Sequence, residues 1–199
     1  MAGCIELKLV ITGDGCVGKT CLGIRHAQDM FPDEYIPTVF DNYEVESVIS
    51  PGFGPPGDKL VSLTVWDTAG SEDYPNLRPL CYPRANVFLV CKSLCGDGNV
   101  EQAWLPEISH HCPGVPIILV GMKCDLRDPE CQGTVREWKR MHTFDEGVEL
   151  ARRIGAVDYM ECSAKTGEGV KELFEKAVEV GYQHWKSLKC KKNSICRLI

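Results

Sequence analysis

The segment from Gly13 to Thr20 reads G-D-G-C-V-G-K-T and has the residue types and spacing of a phosphate-binding loop, G-x-x-x-x-G-K-[ST]. Its glycines let backbone N–H groups turn toward a polyphosphate, at a helix N-terminus where the partial charge is positive. Lys19 would reach the β- and γ-phosphates, and the hydroxyl of Thr20 would bind Mg²⁺. A strand pattern from Ile5 to Ile11 precedes the loop and a segment that can form a helix, Cys21 to Gln28, follows it.

The same loop also satisfies G-x-G-x-x-G, the fingerprint of dinucleotide-binding folds. Asp33 lies at the distance where that fingerprint has its acidic residue. The Lys19-Thr20 pair and a second phosphate motif further along the chain argue against this alternative.

The second phosphate motif is Asp67-Thr68-Ala69-Gly70, which follows an alternating strand pattern from Lys59 to Trp66. An Asp at the end of a strand can hold Mg²⁺, and Gly70 can bring its backbone N–H to a γ-phosphate. Alone, D-x-x-G is a weak signal, because many ordinary polar loops contain it.

Two motifs nearer the C-terminus predict selection of guanine. Met122-Lys123-Cys124-Asp125 follows the apolar run from Val115 to Gly121, and the carboxylate of Asp125 can accept hydrogen bonds from N1–H and the exocyclic amine of guanine. Adenine does not offer that pair of donors, so Asp125 would select GTP over ATP. Glu161-Cys162-Ser163-Ala164-Lys165 reads as a strand end entering a loop, which could supply a backbone N–H to the guanine O6.

With these four motifs in this order, the chain resembles a small GTPase of the Ras superfamily, and specifically its Rho/Rac branch. Three stretches carry the resemblance to that branch: Tyr35 to Tyr43 (YIPTVFDNY), Leu77 to Pro83 (LRPLCYP) and Trp104 to Ile108 (WLPEI). The resemblance covers about residues 4 to 185. It implies an α/β fold of the P-loop NTPase type, a three-layer α/β/α sandwich with a mostly parallel six-stranded sheet. It also places a Rho-type insert helix at about Asp128 to Met141.

The resemblance further implies a GDP/GTP switch that hydrolyses GTP, with Mg²⁺ as cofactor. Thr20, Thr38 and Asp67 would hold the metal ion, and Phe31 would lie against the guanine ring. Ser71, Gly70 and Lys19 occupy the positions of the hydrolytic residues. The residues expected to contact the nucleotide are Gly13, Asp14, Gly15, Cys16, Val17, Gly18, Lys19, Thr20, Cys21, Phe31, Tyr35, Pro37, Thr38, Asp67, Gly70, Lys123, Asp125, Leu126, Ser163, Ala164 and Lys165.

Four positions depart from the family pattern. Ser71 stands where the family has the Gln that orients the attacking water, and serine is too short to do this from the same backbone position. Met122 replaces Asn or Thr, which removes a polar tie to the phosphate-binding loop. Cys16 stands where a small apolar residue is usual, so it is a filler or a redox-sensitive thiol. Lys92 stands in a core-strand pattern where Phe is usual. Ser71 leaves two functions open: a slow GTPase, or a module that stays bound to GTP and binds effectors.

Composition fits a single cytoplasmic domain. The chain has 199 residues, of which 44% are hydrophobic, enough for one sizeable core. The net charge of −6 gives no sign of a nucleic-acid partner. The twelve cysteines contain no C-x-x-C pair and are expected to be free thiols. Cys91, Cys95, His110, His111 and Cys112 could be combined into a zinc site, although their spacing fits no standard arrangement. The resemblance implies exchange factors, GTPase-activating proteins (GAPs) and Rho/Rac-type effectors as partners, with a dissociation inhibitor as a further candidate.

The C-terminal segment predicts attachment to the cytoplasmic face of the plasma membrane or of endomembranes. We expect residues 1–186 to form the G domain, with its last helix ending near Ser187, and residues 187–199 to form a flexible basic tail. Cys196 lies four residues from the end, at the position that prenylation uses, and Cys190 is a second candidate for acylation. Arg197 and Ile199 are unusual for prenylation, so palmitoylation alone and a tail without lipid remain alternatives.

Overall fold

A computed structural model describes residues 4–32, 40–49, 59–70, 77–96, 98–130 and 140–195 of the chain. Its sheet has the strand order β2-β3-β1-β4-β5-β6. The strands are β1 (Ile5–Gly13), β2 (Phe40–Ile49), β3 (Lys59–Thr68), β4 (Val87–Ser93), β5 (Ile117–Met122) and β6 (Asp158–Cys162). Strand β2 runs antiparallel to β3, and the other neighbouring pairs are parallel. The predicted six-stranded, mostly parallel sheet is therefore confirmed.

Among the described residues, four α-helices connect or follow these strands: α1 (Lys19–Gln28), α2 (Leu105–His111), α3 (Phe144–Ile154) and α4 (Val170–Ile195). Shorter turns of helix lie at Arg78–Cys81, Val100–Trp104 and Cys124–Arg127. Helix α3 shows how the sequence fixes a boundary. Thr143 caps its first turn by accepting a hydrogen bond from the Glu146 N–H, while the Glu146 carboxylate accepts one from the Thr143 N–H. Gly155, with φ of 72°, ends the helix.

The two faces of the sheet pack against different helices. Alternating residues of β1 (Leu7, Leu9 and Ile11) face the core beneath α1 and α4, where Leu173 lies fully buried. Val10 points to the opposite face and belongs to the core beneath α2 and α3. The predicted three-layer α/β/α sandwich is confirmed.

The C-terminal helix is longer than the sequence pattern predicted. We placed its end near Ser187, but α4 continues to Ile195. Residues 187–195 contain no Gly or Pro, and their leucine and lysines favour helix, so nothing in this stretch stops it. The division of the chain at residue 186 stays a prediction, and residues 196–199 lie outside the described residues.

Several sequence predictions fall on segments that the structure does not describe. Residues 131–139 of the proposed insert helix are among them. The stretch 50–58, whose three glycines and three prolines predict an exposed loop, is another. Within the described residues, every helix is too short or too polar to cross a membrane. The ten described cysteines are free thiols, and no group of three or more His, Cys, Asp or Glu side chains in the described segments could hold a metal ion.

Candidate nucleotide-binding site

The phosphate-binding loop joins β1 to α1, at the carboxyl edge of the sheet. Gly13 ends β1 with φ of 137°, and a Cβ atom there would overlap the carbonyl group of Cys91 on the neighbouring strand β4. Gly18, with φ of 105°, directly precedes the first residue of α1. Both positions need glycine because of backbone conformation, and Gly13 also needs it because of the close approach of β4. The predicted strand–loop–helix context is confirmed.

Lys19 is the centre of the loop. Its side chain is buried, and its Nζ donates hydrogen bonds to the carbonyl oxygens of Gly13 and Asp14, each at 2.8 Å. Burial lowers the pKa of the Lys19 ammonium, and the charge of Asp67 acts in the opposite direction. A phosphate anion would add favourable charge and a further acceptor for the three ammonium donors. The loop is therefore folded around the side chain expected to bind the β- and γ-phosphates.

Two of the three predicted Mg²⁺ ligands lie together. Thr20, in the first turn of α1, donates its hydroxyl to Oδ2 of Asp67 at 2.6 Å. Asp67 reaches this place because β3 pairs in parallel with β1, which sets Asp67 beside Ile11, and its side chain is fully buried. A hydroxyl and a carboxylate are the hard oxygen ligands that Mg²⁺ takes, together with substrate phosphates and water. Thr20 and Asp67 therefore fit the ion, and Thr38 lies outside the described residues.

Gly70 packs its backbone against the phosphate-binding loop. A Cβ atom on Gly70 would overlap Lys19 Nζ and lie 2.5 Å from the carbonyl oxygen of Asp14. Gly15 is less crowded, since a Cβ atom there would lie 3.6 Å from the Gly70 carbonyl oxygen, an ordinary contact distance. The structure therefore brings Gly70 to the loop, as the sequence predicted. The next residue, Ser71, lies outside the described residues.

The residues predicted to select guanine follow β5. Asp125 lies in the helical turn Cys124–Arg127, is 9% exposed, and accepts no side-chain hydrogen bond from the described part of the chain. Lys123 has φ of 65° and donates from Nζ to the carbonyl oxygen of Cys16 at 2.8 Å. Lys123 therefore ties this turn to the phosphate-binding loop, and the Asp125 carboxylate keeps its acceptors for a ligand. Leu126 continues the same turn.

The loop after β6 is built around Ser163, which is fully buried. Its N–H donates to the carbonyl oxygen of Glu168, and its own carbonyl accepts from the N–H of Gly167, both at 2.9 Å. Its Oγ accepts from the N–H of Thr166 at 3.2 Å. These bonds curl the loop so that Ala164 and Lys165 lie at its bend, beside the C-terminal part of α1.

Arg25 was missed by sequence reasoning. It lies in the last turn of α1 and donates hydrogen bonds to the carbonyl oxygens of Ala164 and Lys165. A basic residue in the last turn of a helix can bind that helix's own carbonyls, so no local sequence pattern indicated a contact across the fold.

Met122 replaces a polar tie with an apolar contact. Its side chain is buried, and its Cε lies 3.6 Å from the point where a Cβ atom of Gly18 would be. The thiol of Cys162 contacts its thioether sulfur, with a sulfur–sulfur distance of 3.6 Å. The structure therefore places an apolar side chain beside the phosphate-binding loop, where the sequence predicts the loss of a polar tie.

A polar group, which we call the Arg78 cluster, links two of the Rho/Rac-like stretches. Arg78 forms a salt bridge with Glu107 at 2.9 Å and lies over the ring of Trp104, 4.7 Å from its centroid. The hydroxyl of Tyr82 donates to the same Glu107 carboxylate. Trp104 Nε1 donates to Oδ1 of Asp14 at 2.7 Å, so the cluster continues into the phosphate-binding loop.

The remaining predicted site residues divide into two groups. Cys16, Val17 and Cys21 lie in or next to the phosphate-binding loop, and the side chain of Phe31 is 41% exposed after α1. Phe31 contacts no other ring among the described residues, so its place against guanine stays a prediction. Four residues lie outside the described segments: Tyr35, Pro37, Thr38 and Cys196.

Comparison with known families agrees with this geometry. The sequence model of the Ras family matches residues 8–183, which is most of the chain and includes all four nucleotide-binding motifs. Ras-family proteins are GTP-binding molecular switches; they generally bind GTP or GDP with Mg²⁺, hydrolyse GTP, and interact with exchange factors, GTPase-activating proteins and effectors. The chain belongs to the Ras family of small GTPases.

Proposed function

We propose that this protein is a Rho-type GTP-binding switch with slow intrinsic hydrolysis, which signals to effectors such as those that control the actin cytoskeleton. The observation that carries the slow rate is Ser71, which directly follows a phosphate site that is otherwise built as the family requires. Lys19, Thr20, Asp67 and Gly70 lie together in that site.

Ser71 cannot perform one part of the reaction, the positioning of the attacking water. In phosphoryl transfer the protein supplies charge stabilisation and orientation, and a Gln side chain in this region holds the attacking water in line. Lys19 and the Mg²⁺ ligands Thr20 and Asp67 would stabilise charge on the phosphates. Since Ser71 cannot reach the water as Gln does, the site keeps binding and loses much of the orientation.

The Rho-type assignment is supported by the Arg78 cluster. The stretches that resemble the Rho/Rac branch, Leu77 to Pro83 and Trp104 to Ile108, meet at Glu107, and Trp104 bonds to Asp14. Residues that resemble one branch of the family therefore form one connected set of contacts between the stretch Leu77 to Pro83 and the phosphate-binding loop.

A second function, a module that stays bound to GTP and is controlled by abundance or localisation, rests on the same Ser71. Single-turnover hydrolysis of bound GTP, with and without a Rho-type GAP, separates the two. We expect a low intrinsic rate that the GAP raises, because Gly15 leaves room beside the loop for an inserted side chain. A rate that stays near zero with the GAP would support the second function.

Two substitutions at one position test the role of Ser71. Ser71→Gln should raise the intrinsic rate on the order of 10²-fold, by restoring orientation of the water. Ser71→Ala is the matched control and should leave the rate unchanged, because we assign the serine hydroxyl no part in the reaction. An unchanged rate in Ser71→Gln, or a clear loss in Ser71→Ala, would overturn this role.

We also propose that the C-terminal end of α4 brings the protein to the cytoplasmic face of a membrane. Lys186, Lys189 and Cys190 are exposed on this helix, and Lys189 Nζ lies 4.1 Å from the ring centroid of Trp185. One lipid chain gives only marginal binding, and each nearby lysine adds about 1 kcal/mol at an anionic surface. Fractionation of cells that express Cys190→Ser, Cys196→Ser or both tests this: if the double variant stays on membranes like the parent, lipid attachment at these positions is wrong.

A further inference from the structure

The Arg25 side chain lies between α1 and the loop after β6, and only 16% of it is exposed. Its Nε donates to the carbonyl oxygen of Ala164 at 2.8 Å, and its Nη2 donates to that of Lys165 at 2.9 Å. Its Nη1 donates to the carbonyl oxygen of Asp29 at 2.9 Å. One guanidinium therefore joins the end of α1 to two successive carbonyls that lie 139 and 140 residues further along the chain.

These two carbonyls have no other described donor. The bonds that close the loop use the N–H and carbonyl of Ser163 and the N–H of Gly167, and they leave the carbonyls of Ala164 and Lys165 unused. Among the described residues, Arg25 is thus the group that sets the orientation of these peptide units. Its planar fork of donors suits two adjacent carbonyls in a way that the single ammonium of a lysine does not.

Helix α1 carries groups for both ends of a bound nucleotide. Its first turn holds Lys19 and Thr20 at the phosphate end, and its last turn holds Arg25 at the loop after β6. From Lys19 to Arg25 the helix rises by about 9 Å. Because one rigid helix spans this distance, the hydrogen bonds of Arg25 at its last turn fix the loop after β6 relative to the phosphate-binding loop.

We propose that Arg25 is a positioning residue for guanine recognition. By holding the carbonyls of Ala164 and Lys165, it keeps the bend of this loop where a backbone N–H can meet the guanine O6. Arg25 does not touch the nucleotide; it acts through the loop and slows nucleotide release. This inference rests on the assignment of Asp125 and the loop at 163–165 to the base.

The plain alternative is that Arg25 stabilises the packing of α1 without any selectivity for the base. A nucleotide that lacks O6 separates the two cases. The diphosphate of 2-aminopurine riboside has the same phosphates and exocyclic amine as GDP, but it lacks both O6 and N1–H. It therefore offers the loop no O6 to bind and leaves Asp125 only the amine as a donor. If Arg25 acts by positioning the loop, its loss should therefore weaken the binding of GDP alone. If Arg25 only stabilises the packing of α1, its loss should weaken the binding of both nucleotides.

The experiment measures release rates and dissociation constants of both nucleotides for the parent and for Arg25→Ala. We expect GDP release to be roughly tenfold faster in Arg25→Ala, the loss typical of charged hydrogen bonds, with no more than about twofold change for the analogue. Arg153→Ala removes an exposed arginine that pairs with Glu101 at 2.7 Å, and it should behave like the parent. Arg25→Lys keeps the charge without the fork and should lie closer to Arg25→Ala; it also replaces that variant if alanine prevents folding.

Equal weakening of both nucleotides, or unchanged GDP release, would overturn the positioning role of Arg25 and leave guanine binding intact. If the parent protein binds GDP no better than the analogue, the assignment of this site to guanine is itself wrong. In that case the inference about Arg25 fails with it.

Discussion

His26 makes the stability of this protein dependent on pH in a predictable window. Its ring stacks on Phe174 with the centroids 3.6 Å apart and the planes 1° from parallel. Its Nε2 is buried and has no hydrogen-bond partner among the described residues. Burial lowers the pKa of His26 from 6.5 to about 4. The folded protein therefore keeps a neutral imidazole at neutral pH.

The direction and size of the effect follow from proton linkage. Between pH 6.5 and about 4 the unfolded chain binds a proton at His26 that the folded protein does not, so the free energy of unfolding decreases as the pH falls through this window. Above pH 6.5 the stabilisation is fully present. At about 1.4 kcal/mol per pH unit, the upper bound is about 3 kcal/mol. Because the ring is only partly buried, screening by solvent should reduce the loss to about 1 kcal/mol at pH 5.

The assay is denaturant unfolding of the GDP-bound protein at pH 7.5 and pH 5. His26→Phe keeps an aromatic ring against Phe174 and removes the titrating group, so it should lose about 1 kcal/mol less stability between these pH values than the parent. His110→Gln, at an exposed position, is the control and should follow the parent. If His26→Phe loses as much stability as the parent over this range, protonation of His26 is not the cause of the loss.

Three further substitutions test the phosphate and base sites. Gly70→Ala should weaken GTP binding at least tenfold, because its Cβ atom would overlap Lys19 Nζ and approach the Asp14 carbonyl. If a binding titration gives the same GTP affinity as the parent, Gly70 is not packed this closely. Thr38→Asn should reduce capture by a Rho/Rac-type effector domain and leave GDP binding nearly intact, because Thr38 is expected to contact Mg²⁺ and the γ-phosphate only in the GTP state; undiminished capture would remove that role. Met122→Asn should slow nucleotide release about fivefold by adding about one hydrogen bond under the loop. Faster release would show that the apolar packing of Met122 holds the loop more strongly than the added hydrogen bond does.

The position of the site could be predicted from the sequence for a physical reason. Each motif follows a strand pattern, and the carboxyl ends of neighbouring parallel strands meet at one edge of a sheet. Four motif residues therefore had to lie together once the sheet was parallel: Gly13 at the end of β1, Asp67 in β3, Asp125 after β5 and Ser163 after β6. Their residue types then indicated phosphate, Mg²⁺ and guanine.

The parts that could not be predicted depend on contacts between distant residues. Arg25 bonds to residues about 140 positions away, and no local pattern reports such a contact. The polar tie lost at Met122 was visible in the sequence, but its packing beneath Gly18 was not. Our prediction ended α4 near Ser187, whereas the tail contains no Gly or Pro that would stop the helix before Ile195. Nothing in the described structure explains why a lysine, Lys92, occupies the buried end of β4.

Competition between GTP and ATP for the Mg²⁺-loaded protein tests most directly whether this site selects guanine. Because Asp125 accepts from two guanine donors that adenine lacks, we expect a preference for GTP on the order of 10⁴-fold. Asp125→Asn should lose this preference and gain binding of xanthosine triphosphate, whose base offers a matching acceptor to the new amide. Equal competition by ATP and GTP in the unmutated protein would show that Asp125 does not select guanine.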